Sequence, residues 1–100
     1  MHKTDIIALL LSHVDELRAA GVTHVSLFGS VARDEDGPDS DVDMIVGGPP
    51  QHPMTLFSMA RAEAALERIL GRSVDLTSQQ SLERASEFQR RIAGDLTPVF

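Results

Sequence analysis

The chain has 100 residues, 42% of them hydrophobic, no cysteine, and a formal net charge of −6. That length suits one domain over residues 1–100, and the apolar fraction is too high for a disordered chain. The lack of cysteine excludes disulfides, thiolate chemistry and Cys-based zinc sites, and the acidic balance argues against extended nucleic acid, whose phosphates require a basic surface.

No apolar run approaches the ~20 residues needed to cross a membrane, so no membrane partner is expected. No basic-then-apolar leader opens the sequence, which places the protein in the cytoplasm as an expectation. An acidic surface suits a basic protein partner, and it equally suits plain solubility.

Ile6, Ile7, Leu10, Val14 and Leu17 share one face at helical spacing, predicting a first helix over residues 5–20. Thr4 or Asp5 can cap it, and Gly21 can take the left-handed conformation that ends it. His13, at the edge of the apolar face, reads as a satisfied edge histidine rather than a ligand. Residues 23–28 are β-branched and apolar, hence a strand. Gly29-Ser30 then turns sharply, and Val31-Ala32-Arg33 resembles the first turn of a short helix.

Residues 34–40, with Gly37-Pro38 and five polar residues, predict an exposed loop. A second strand follows over 41–46, opening on its acidic end and continuing through Met44, Ile45 and Val46. Residues 47–50 form a second loop, and Pro53 is placed to open a helix. Leu56, Met59, Ala62, Leu66, Ile69 and Leu70 form a helical stripe that stops at Gly71, with Met54 and Met59 as core filler or loop contacts. Residues 73–77 read as a third strand. Residues 81–93 read as a last helix with Leu82, Ala85, Phe88 and Ile92 inward, and Leu96, Val99 and Phe100 suggest a short closing strand. No internal repeat interrupts this order.

Three features bear on chemistry. Leu27-Phe28-Gly29-Ser30 is an apolar strand ending in Gly-Ser before a helix start. Glycine there lets a phosphate approach the backbone, and Ser30 adds a hydroxyl; a plain turn has the same composition. Asp41-Val42-Asp43 on a strand projects two carboxylates from one face. Carboxylates that close repel unless a cation sits between them, and hard oxygen ligands suit Mg²⁺, although a solvated strand face explains a bare D-x-D as well. Asp75 interrupts an apolar strand, where a carboxylate is costly unless paired, metal-bound or facing water. If the third strand lies beside the second, Asp75 joins the same cluster. An EF-hand does not fit the six acids of residues 34–43, because no register supplies both the sixth-position Gly and the twelfth-position Glu. A P-loop needs Gly-Lys-Ser/Thr, and the only lysine is Lys3.

Taken together, Gly29-Ser30, ten intervening residues and Asp41-x-Asp43 resemble the signature of the DNA polymerase β nucleotidyltransferase superfamily. The fuller string, Phe28 to Arg33 and Pro38 to Asp43, resembles its minimal nucleotidyltransferase branch. The likeness runs on through Leu70-Gly71-Arg72-Ser73-Val74-Asp75-Leu76, Arg91-Ile92 and Pro98-Val99-Phe100, covering nearly everything from Val25 onward. The resemblance implies a small α/β (α+β) nucleotidyltransferase fold, with a mixed three- to four-stranded sheet flanked by helices. Members of this branch are antitoxins encoded with HEPN-domain ribonuclease toxins, and transfer AMP from ATP to a tyrosine of the toxin.

Carried over, the resemblance implies that Gly29 and Ser30 hold the triphosphate and that Asp41 and Asp43 bind Mg²⁺. Asp75 would complete the metal site and help deprotonate the acceptor hydroxyl. Arg33 would steady the acidic loop or a phosphate, or make an ordinary surface salt bridge. Two metals roughly 3.5–4 Å apart would stabilise the attacking and leaving oxygens of an in-line displacement. With no second domain in sight, the acceptor is expected on a partner protein, and self-association stays open. Asp34 departs from the family's glycine after Ala-Arg, which changes the turn and adds negative charge near a triphosphate. Two other readings compete: an antitoxin of the same fold that acts by occlusion, and a small-molecule nucleotidyltransferase. Retention of all three aspartates argues against the first, and the absence of a substrate domain against the second.

Overall fold

The structure, a computed structural model, describes residues 1–37 and 39–100. Among these residues, four strands form one mixed sheet: β1 (His24–Phe28), β2 (Val42–Gly47), β3 (Val74–Ser78) and β4 (Thr97–Pro98). Their order is β3-β2-β1-β4, with β2 antiparallel to β1 and parallel to β3. Among the described residues, six helices surround the sheet: α1 (Lys3–Ser12), α2 (Val14–Ala19), α3 (Gly29–Ala32), α4 (Leu56–Leu70), α5 (Gln79–Arg84) and α6 (Ser86–Ile92). No helix among the described residues is long and apolar enough to cross a membrane.

Strand alternation sorts the side chains onto two faces. Val25, Leu27, Val42, Met44, Val46 and Val74 point to one side, where they join Ile6, Leu10 and Leu17 of the N-terminal helices and Ala62, Leu66 and Leu70 of α4 in the main core. Phe28 and Ile45 point to the other side and pack under Leu82 and Ile92 of α5 and α6. Asp43 and Asp75 share that second side by the same alternation, so the acids and the small second cluster occupy one face.

The structure corrects the helical expectations at several places. The helix expected over 5–20 is two helices. Ser12 Oγ donates to the Leu9 carbonyl (2.8 Å), and His13 Nδ1 lies 2.9 Å from the same oxygen, so side chains take the acceptor that the His13 amide would use; that amide bonds Leu10 instead. His13 is satisfied, as expected. Helix α1 starts at Lys3, and Asp5 caps it from inside the first turn by accepting from the His2 amide (2.8 Å). Gly21 has the expected positive φ of 93°.

Helix α4 begins at Leu56, capped by Thr55 rather than opened by Pro53, because the Thr55 side chain accepts from the Ser58 amide. Leu56 keeps the predicted stripe's period yet is 89% exposed, since at this first turn it borders an open groove with Met59 and Leu76 instead of a packed element. The last helix is likewise two, broken where Ala85 leaves helical space (φ −114°, ψ 71°); Ala85 is exposed, whereas Leu82 and Ile92 are buried. Helix α4 ends at Gly71 in the left-handed region, as the sequence implied. The loop expected over 34–40 is irregular where it is described, and Pro38 lies outside the described residues.

Candidate active site

Strand β1 delivers the chain to Phe28 in extended conformation, and Gly29 then turns it with a φ of 74° into the single turn of α3. The turn has a steric reason besides the dihedral. A Cβ at Gly29 would overlap the Asp43 carboxylate, with Cγ 3.3 Å away. Only glycine lets the backbone and that carboxylate come so near. Ser30 follows, half-buried, with its carbonyl accepting from the Glu35 amide (2.8 Å).

In the sheet register Phe28 opposes Asp43, and Asp43 opposes Asp75 on the adjacent parallel strand. Neighbouring strands lie about 4.8 Å apart, so the two carboxylates rise side by side. Asp41 lies just ahead of β2, exposed, two residues before Asp43. Burial raises the Asp43 carboxyl above the ordinary value, Asp75 and then Asp41 raise it further, and Arg33 pulls the other way. The structure thus brings the three aspartates into one electrostatic neighbourhood, next to the Gly29 turn.

Among the described residues, no three Asp, Glu, His or Cys side chains converge closely enough to enclose a metal by themselves. The expected three-carboxylate cluster is therefore not a closed cage: the structure pairs Asp43 with Asp75 in register and leaves Asp41 just ahead of β2. A half-buried carboxylate with two like charges against it is a donor set that a divalent cation relieves.

Arg33 lies where its charge reaches Asp43, while its guanidinium bonds Glu35 (3.1 Å) and Asp95 (2.6 Å). Asp34 has a φ of 57°, in the left-handed region that glycine adopts most readily. Asp tolerates the left-handed region better than most residues, and its Oδ1 accepts from the Lys3 amide (3.2 Å).

One residue escaped the sequence reading. Arg72, on the turn before β3, pairs with Asp36 (3.0 Å) and donates to the carbonyls of Ser40 (2.7 Å) and Gly37 (3.3 Å). Its position in the string Gly71-Arg72-Ser73-Val74-Asp75 was visible; its partners, more than thirty residues away, were not.

A cleft of about 610 Å³ lies at the other end of the strands, around His24, Gly47, Gly48, Pro49 and Gln79. It contains none of the three aspartates and is separated from them on that face by Phe28, Ile45 and Leu82.

The sequence profile described as the nucleotidyltransferase domain matches residues 8–98. The protein adenylyltransferase MntA of Thermococcus cleftensis is 38% identical over 80 residues, 79% of each chain. A Methanocaldococcus jannaschii protein, provisionally named for the same activity, is 35% identical over 80% of this chain and 76% of its own. Among solved structures, one provisionally described as a minimal nucleotidyltransferase superposes with a TM-score of 0.78 at 32% identity, over 98% of this chain and 96% of that one. A toxin–antitoxin crystal structure with AMP-PNP shares the fold, with a TM-score of 0.65 at 20% identity, over 100% of this chain and 73% of that one. A turn that only glycine can make against a strand-borne aspartate, a second aspartate in register beside it, and a profile spanning nearly the whole sequence converge: this nucleotidyltransferase chain belongs to the nucleotidyltransferase domain family, within its minimal branch.

Proposed function

We propose that this protein is an antitoxin of the cytoplasm that transfers AMP from ATP, with Mg²⁺, to a tyrosine of a HEPN-type ribonuclease toxin. The observation that carries this reading is the Asp43–Asp75 register pair beside Gly29. The adenylyltransferase names of its relatives support protein as the acceptor and ATP as the donor. The toxin–antitoxin crystal structure with AMP-PNP motivates the choice of a toxin as partner.

Each residue then has a task. Gly29 lets the triphosphate come against the backbone, and Ser30 offers a hydroxyl and an amide to it. Asp41, Asp43 and Asp75 hold Mg²⁺, which when bound stabilises charge on the attacking and leaving oxygens. Arg33 steadies the neighbouring charge, and its bonds to Glu35 and Asp95 keep it at the rim. The tyrosine oxygen forms a bond to the α-phosphorus while the bond from that phosphorus to the bridging oxygen breaks. Pyrophosphate leaves, and the phenolic proton passes to the Asp75 carboxylate, which faces solvent and can release it. No residue of this chain is covalently modified on the way.

ATP labelled at the α- or the γ-phosphate separates this reaction from its rivals. With the toxin encoded beside this gene, α-label moves onto the toxin and γ-label leaves as pyrophosphate. Transfer of γ-label indicates a kinase instead, and a toxin silenced without label indicates occlusion.

A further inference from the structure

Residues 34–43 carry six acids, and the segment before β2 has no regular ladder to hold it. It must nonetheless deliver Asp41 to a fixed place beside Asp43 and Asp75. Two tethers run to it from the turn before β3. The Ser73 carbonyl accepts from the Val42 amide (3.0 Å), and Arg72 grips the other side of Asp41 through the Ser40 carbonyl (2.7 Å). Arg72 also bonds the Gly37 carbonyl (3.3 Å) and pairs with Asp36 at 3.0 Å, with side chains only 13% and 10% exposed. Ser40 closes the turn by accepting at its Oγ from the Gly37 amide (3.0 Å). Arg72 stands three residues before Asp75, so the turn that leads into the Asp75 strand also clamps the backbone that bears Asp41.

Burying an ion pair is weak evidence of stability, because desolvation offsets most of the attraction. What a planar guanidinium supplies is geometry, with donors fixed in a fork toward several acceptors at once. We propose that Arg72 is a positioning residue that fixes Asp41 relative to Asp75 for metal binding, with Asp36 holding the guanidinium in place. The inference rests on the three aspartates being the metal site.

The test uses Mn²⁺ as the probe, with free Mn²⁺ read by electron paramagnetic resonance on the full chain without nucleotide. Arg72→Lys keeps the charge and loses the fork. Its Mn²⁺ affinity falls about 10–100-fold, the range produced by removing an outer partner of a metal ligand. Transfer shows a matching fall in kcat while KM for ATP stays within about twofold, because the triphosphate contacts are untouched. Asp36→Asn, which leaves the carbonyl contacts in place, loses affinity in the same direction by a smaller factor and decides the matter if the lysine variant unfolds. Asp41→Asn is the control. A lower melting temperature with unchanged Mn²⁺ affinity in both clamp variants, while Asp41→Asn loses Mn²⁺, overturns the positioning role and leaves the aspartate site standing. If the unaltered chain binds no Mn²⁺, the aspartate site itself fails.

Discussion

Burial, the Asp75 carboxylate and the Asp41 carboxylate raise the Asp43 carboxyl above 3.8, in that order, against an opposing pull from Arg33. Because the folded value lies above the unfolded one, the native state binds more protons between the two, and stability falls as pH rises through that window. Above the folded value the cost is present in full. Asp43→Asn removes it, so without divalent metal this variant melts above the unaltered chain at neutral pH. The gap closes as pH falls toward 3.8, and thermal melts across that range check it. The shared face of Asp43 and Asp75 was legible because strand alternation fixes which side each faces, once the second and third strands are taken as neighbours; Asp41, expected on the strand, lies just ahead of it. Arg72 was not legible, because its acceptors Ser40 and Gly37 are 32 and 35 residues away and no periodicity links a turn to a loop.

At the scale of elements, periodicity identified the strands and α4, and local chemistry defeated it at three places. Ser12 and His13 capture the Leu9 carbonyl and split the first helix. No glycine or proline marks the break at Ala85, so nothing in the sequence announced it. Leu56 has the correct period at a turn with nothing packed over it. Two substitutions on α4 separate period from packing. Leu66→Ala, at a side chain with no exposure, costs about 2–5 kcal/mol in denaturant unfolding. Leu56→Ser, on the same stripe but 89% exposed, changes stability by no more than about 0.5 kcal/mol. A large loss at Leu56 contradicts the assigned packing.

For the whole molecule, the net charge of −6 is spread over one compact sheet-and-helix body, with six acids between residues 34 and 43. Such a field speeds encounter with a basic partner and is screened within about 10 Å at ~0.1 M salt. Association with the proposed toxin therefore slows about tenfold or more when salt is raised well above that level, as stopped-flow binding reads directly. The proposal that Asp41, Asp43 and Asp75 form a single nucleotidyl-transfer centre is tested most directly by the intact mass of the toxin. The toxin is incubated with ATP, Mg²⁺ and either the unaltered chain or one of Asp41→Asn, Asp43→Asn and Asp75→Asn. The unaltered chain adds AMP to the toxin, and each variant, folded and melting no lower, leaves the toxin mass unchanged. A variant that modifies the toxin at the unaltered rate contradicts the three-aspartate centre.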